Sequence, residues 1–227
     1  MDKNSNKYTF FFAIALVVIV AAALSFAATS LQPLQAENVR KEKMQSILST
    51  IGINVERDEA EKLYNQYITE QLALNYQGEE LDDVDAFKVN LARELKKPVE
   101  EQAFPLYVAN YENENYYIVP LRGKGLWDAI WGYVALKEDV NTIKGVIFDH
   151  KGETAGLGAE ITTDWFKESF KNEEVFNEQD ELVGVIVEKG YSKDAKGDNK
   201  VSAISGATIT GNGVTDMMQE RLKRYLP

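Results

Sequence analysis

The chain has 227 residues, no cysteine, one histidine and a formal net charge of −11. That length allows one sizeable core plus an appendage, and the missing cysteines exclude disulfides, thiol nucleophiles and thiolate-held iron–sulfur clusters from this chain. The single histidine argues against a histidine-held metal or a catalytic triad, and the acidic balance argues against nucleic acid, whose phosphates it repels.

Tyr8 to Ala36 contains no charged residue, and Tyr8 to Ala28 is almost wholly apolar. About 20 such residues cross a bilayer core as a helix, so residues 8–30 are predicted as a transmembrane helix in contact with membrane lipid, after a cytoplasmic N-terminus at 1–7. Lys3 and Lys7 precede the span, which by the positive-inside bias predicts an exported C-terminal domain; Arg40, Lys41 and Lys43 on its far side oppose that bias. A signal peptide cleaved near Ser25-Phe26-Ala27 and a pilin-type leader are the competing readings. The second normally brings a glutamate near the start of the helix, and none is present. An uncleaved anchor is the reading adopted.

Met44, Ile47, Leu48 and Ile51 form one helical stripe before Gly52, so Gln35–Ile51 is predicted as a helix. Ala60, Leu63, Tyr64, Tyr67, Ile68 and Leu72 repeat at three and four, which predicts a second helix over Asp58–Leu74. Residues 75–104 are rich in Glu, Asp and Lys and read as a polar connection with one more short helix. Residues 31–104 are thus expected to be a helical connecting region. From Leu106 the pattern changes to short β-like runs, 106–111 with 116–121 and 130–136 with 142–148, each pair joined by a polar turn. A short helix at Asp164–Phe170 and a last strand at Leu182–Val187 follow. Hairpins in sequence with helices set apart predict an α+β domain with a mainly antiparallel sheet over residues 105–227.

Val201 to Val214 reads Val-Ser-Ala-Ile-Ser-Gly-Ala-Thr-Ile-Thr-Gly-Asn-Gly-Val, and Val214, Met217, Met218, Leu222 and Tyr225 then recur at helical spacing. Small residues, hydroxyls and glycines ahead of a helix leave backbone N–H groups without intrahelical partners, and with the helix dipole they favour an anion such as phosphate. The competing reading is a capping loop in which Thr210 or Asn212 caps the helix.

Ser205-Gly206-Ala207-Thr208-Ile209-Thr210, followed by Asn212-Gly213-Val214 and a helix, resembles the flavin-attachment site of the FMN-binding domain family. In that family a threonine hydroxyl is joined to FMN by a phosphoester bond, and the resemblance puts this role on Thr208. The Gly206-Ala207 pair is small enough for the phosphate to approach the backbone. Ser202 stands where the family motif usually has an acidic residue.

Two further glycine-bearing segments lie at predicted strand ends, Gly123-Lys-Gly-Leu-Trp127 and His150-Lys-Gly-Glu-Thr-Ala-Gly-Leu-Gly158. In this order, after one membrane span, the three segments resemble the family of C subunits of the Na+-translocating NADH:quinone reductases; the G subunit of the related ion-pumping ferredoxin complex is the neighbouring alternative. The resemblance implies an electron-carrier subunit of the bacterial inner membrane with covalent FMN on the periplasmic side, working between other subunits that oxidise NADH, reduce quinone and move sodium. No complete catalytic site is expected in this chain alone. Ser205, Gly206 and Thr210 are the expected surroundings of the phosphate, and Leu126, Trp127 and Leu157 the expected apolar wall for the flavin ring. Glu153, Thr154 and the backbone at Gly156 and Gly158 are expected along its edge or ribityl chain. His150 is either a proton donor or a structural strand-end residue. A flavin-free anchored assembly module, and a redox partner outside any pump, are the remaining readings.

Overall fold

The computed structural model describes residues 5–191 and 198–225. By its internal contacts the chain divides after Lys43 into two units. The first is most of helix α1 (Asn6–Thr50), 45 residues with Pro33 inside, and it is long and apolar enough to cross a membrane. Its apolar side chains from Phe10 to Leu34 are exposed, as lipid-facing residues would be.

The second unit begins with the last turns of α1. Met44, Ile47, Leu48 and Ile51 are buried there at the spacing of one helical stripe, and the Gln45 amide closes the following turn on the Val55 carbonyl at 2.7 Å. Helix α2 (Ala60–Tyr67) leads into strand β1 (Ile68–Leu74). After a connection with one α-helical turn, α3 (Leu91–Glu94), come β2 (Phe104–Tyr111), β3 (Glu114–Lys124), β4 (Ala129–Leu136) and β5 (Ile143–His150). These five strands form one antiparallel meander in chain order. Alternation sorts their side chains to two faces. Tyr107, Ala109, Tyr116, Ile118 and Ala135 pack against the end of α1 and α2. Val119, Leu121, Ile130, Val134 and Phe148 pack with α4 (Asp164–Ser169) and the C-terminal helix α5 (Thr208–Leu222). A parallel pair, β6 (Ile186–Glu188) and β7 (Lys200–Ser202), lies beside α5.

The α+β fold with a mainly antiparallel sheet agrees with the sequence reading, while several elements differ from it. The helix predicted over Asp58–Leu74 stops at Tyr67, and residues 68–74 become a strand. Pairing with the otherwise open edge of β2 outweighs the helical repeat there. The predicted strand 182–187 shrinks to Ile186–Glu188 because Gly184 takes a positive φ of 62° and breaks the run. The turn expected at 112–115 is only Glu112-Asn113, both at positive φ, which matches the right-handed twist of a hairpin. Helix α5 starts six residues before Val214. The glycines that read as loop are helical, and Gly213 lets α5 approach β3 so closely that a β-carbon would lie 2.2 Å from the Lys124 carbonyl oxygen.

Candidate functional site

The three glycine-bearing segments meet. The β3–β4 loop, the loop after β5 and the start of α5 enclose a cleft of about 220 Å³ lined by Leu126, Glu153, Thr154, Leu157, Gly158, Gly206, Ala207, Thr208, Ile209 and Thr210. Leu126, Leu157 and Ile209 stand at its rim, partly exposed at 44, 39 and 57%. Apolar side chains held in solvent at a cleft edge are the kind of wall on which a planar aromatic ligand gains contact.

Glu153 joins the segments. Its Oε1 accepts the Trp127 N–H at 2.9 Å and its Oε2 accepts the Thr210 hydroxyl at 2.6 Å. Burial pushes this carboxyl towards the neutral acid, but the Thr210 hydroxyl and the backbone N–H groups of Trp127, Leu126 and Asp128 outweigh it and hold the pKa below the ordinary carboxylate value. The Glu153 N–H in turn donates to His150 Nδ1 at 3.1 Å. His150 ends β5, does not line the cleft and organises the loop that follows.

Thr208 is the first residue of α5 and is exposed at the cleft. The N-cap position is Ala207, which offers no side-chain cap, so neither Thr210 nor Asn212 caps the helix. The first turn of a 15-residue helix therefore presents N–H groups with no side-chain cap among the described residues, and the positive end of its dipole, beside the Thr208 hydroxyl. Gly206, at φ +77°, sits so close to Leu157 that a β-carbon would lie 2.8 Å from its Cδ2. A side chain there would displace the wall.

Of the residues singled out from the sequence, Thr208, Gly206, Ala207, Thr210, Leu126, Glu153, Thr154, Leu157 and Gly158 line the cleft. Trp127 lies outside the lining and is 67% exposed, yet its indole N–H donates to the Thr154 hydroxyl at 3.1 Å. Ser205 is exposed and also outside the lining. Gly156 makes a positive-φ turn whose N–H donates to Glu160 Oε1 at 3.2 Å, again outside it. The sequence reading missed Ile209 as a wall residue, although its position between Thr208 and Thr210 was a signal. It also missed a second hollow of about 280 Å³ bordered by Thr208, Asn212, Ile186, Val187, Glu188, Lys189, Lys200 and Ala203. Its lining joins α5 to the short β6–β7 pair, of which the sequence reading had Ile186 and Val187 in its last strand but not β7. Ser202 donates its hydroxyl to the Tyr191 carbonyl at 2.7 Å and so belongs to the local fold.

The family model described as FMN-binding domain matches residues 125–223, which contain all three segments of the cleft from Gly125 onward. The C subunit of the Na(+)-translocating NADH-quinone reductase of Haemophilus ducreyi is 29% identical over 94% of this chain and 88% of its own length. The protein of the same description from Pseudomonas aeruginosa is 27% identical over 96% of this chain and 91% of its own. Among solved structures, the C subunit of that reductase from Parabacteroides distasonis is 39% identical, covers 86% of this chain and 94% of its own, and superposes with a TM-score of 0.78.

Proposed function

The chain belongs to the family of C subunits of the Na(+)-translocating NADH-quinone reductases, and from that premise we propose that it is a membrane-anchored electron carrier holding FMN by a phosphoester to Thr208. The observation that carries this reading is the exposed Thr208 hydroxyl at the uncapped start of α5, on a cleft walled by Leu126, Leu157 and Ile209. A threonine hydroxyl is an atom that can be esterified, the α5 N–H groups suit the phosphate charge, and the apolar rim suits the ring. The cleft is smaller than the roughly 300–1,000 Å³ of pockets that enclose a small molecule. A ring held there keeps one side at the surface, as a relay between neighbouring proteins requires.

FMN supplies the electron-accepting chemistry; the residues of this chain bind, orient and tune. Thr208 would fix the phosphate end, with Gly206, Ala207 and Thr210 around it in the cleft and Ser205 exposed just outside the lining. Leu126, Leu157 and Ile209 hold the ring, with Trp127 extending the apolar surface at the rim. Thr154 and the Gly158 backbone, which line the cleft, would hold the ring's edge or the ribityl chain, while Gly156, with its N–H taken by Glu160, shapes the turn outside it. Residues 8–30 are the span in a bacterial inner membrane, with residues 1–7 on the cytoplasmic side and the flavin domain, 105–227, on the periplasmic side. The other subunits of the reductase carry out NADH oxidation, quinone reduction and ion movement.

The test is the intact mass of the chain purified from its native membrane, with a denaturing gel viewed for flavin fluorescence. An added mass of about 438 Da, FMN less water, that survives denaturation supports the carrier. A mass equal to the bare chain overturns it in favour of the flavin-free assembly module.

A further inference from the structure

Both oxygens of Glu153 are committed to the protein, one to the Trp127 N–H and the other to the Thr210 hydroxyl, and the residue is only 7% exposed. The space around the carboxylate is closed by glycines. A β-carbon on Gly125 would lie 2.5 Å from Oε1, and one on Gly158 would lie 2.3 Å from Oε2 and 2.6 Å from Thr210 Oγ1. The chain has left room here for a carboxylate and for nothing more. A ligand in the cleft therefore meets Glu153 as a carboxylate already fixed in place by the protein, a scaffold and a charge.

We infer that Glu153 is a positioning residue for the carrier: its carboxylate ties the 125–128 loop to α5, setting Leu126 against Thr208, and stands as a fixed negative charge that lowers the reduction potential of a flavin bound in the cleft. The inference rests on the proposed flavin site. An electron delivered by the preceding redox centre adds one negative charge to the cleft unless a proton comes with it. A like charge held in a poorly screened wall opposes that addition. The donors that keep the carboxyl ionised despite burial keep the charge in place.

The experiment uses the full chain in detergent. Flavin content of the wild-type protein is measured first, and its absence overturns the flavin reading itself rather than this inference. With flavin present, Glu153→Gln is expected to raise the midpoint potential by an amount corresponding to a tenfold change in the one-electron equilibrium, about 59 mV. Hydrogen exchange at the Trp127 amide is expected to speed up in the same variant. An unchanged potential in a loaded Glu153→Gln protein, or unchanged exchange at Trp127, overturns the inference. Should Glu153→Gln fail to take up flavin, hydrogen exchange in the flavin-free proteins decides: faster exchange at the Trp127 amide in Glu153→Gln than in the flavin-free wild type supports the role, and equal exchange overturns it.

Discussion

Thr208 and Thr210 are two residues apart and chemically alike, yet their surroundings separate them. Thr210 is 1% exposed and its hydroxyl donates to Glu153, whereas Thr208 is exposed on the cleft. Only the second can meet a flavin phosphate without dismantling the loop clamp. Thr208→Val, which removes the oxygen and nearly keeps the volume, is expected to abolish covalent flavin while leaving the melting temperature within a few degrees; fluorescence of the denatured variant on a gel would show the attachment to lie elsewhere. Glu153 gives a second prediction at this scale. Its pKa in the folded protein lies below the ordinary carboxylate value. The charged form is thus favoured by folding, and its contribution is present above the unfolded-state pKa of roughly 4.3 and lost as pH falls through the lowered folded value. Urea unfolding of the flavin-free protein between pH 7 and 3 should lose stability more steeply below pH 4 than the Glu153→Gln variant does. Parallel slopes would mean that the carboxylate is not held in its charged form.

The placement of these residues depends on α5 and on how closely it lies to β3. Gly213→Ala inserts a β-carbon 2.2 Å from the Lys124 carbonyl oxygen, and a clash with backbone cannot be relieved by turning a side chain. Overpacking of this kind costs about 1–3 kcal/mol, so the expected result is a clearly lower midpoint in urea and reduced flavin loading; a wild-type midpoint would show that α5 can retreat without cost. The same glycine marks what the sequence could convey at this scale. The hairpins of β2 to β5 were legible because alternation and turn residues act locally, and Ser205–Thr210 was legible because its chemistry is written in consecutive residues. The start of α5 was not, since Gly211 and Gly213 look like loop residues until β3 and Val187 are in place against them. Nor was β1, where a helical repeat at Leu63, Tyr67 and Ile68 gives way to an edge on β2 that exists only once the sheet has formed. The joining of three distant segments through one carboxylate was not legible: the sequence pointed to Glu153 beside a ligand, and the structure gives both its oxygens to Trp127 and Thr210.

At the scale of the whole molecule, the helix whose first part is long and apolar enough to cross a membrane also supplies, with its last turns, part of the core of the second unit. Met44 is 5% exposed, and Ile47, Leu48 and Ile51 are wholly buried in the cluster that includes Tyr64, Tyr107, Tyr116 and Ile118. The two roles meet at the division after Lys43. A chain starting at Met44 loses the exposed apolar helix and keeps every one of those buried side chains, so it is expected to fold without detergent and unfold cooperatively. A chain starting at Glu56 loses all four. Truncating a single buried Leu, Ile or Met costs about 2–5 kcal/mol, against a total stability of roughly 5–15 kcal/mol for a domain. The shorter chain is therefore expected to lack a cooperative thermal transition and to expose apolar surface to a fluorescent dye. Circular dichroism melts of the two truncated proteins make the comparison directly. Equal melting temperatures would mean that the end of α1 is a passive tether; loss of the transition only in the chain starting at Glu56 would mean that α1 ends as a structural part of the second unit.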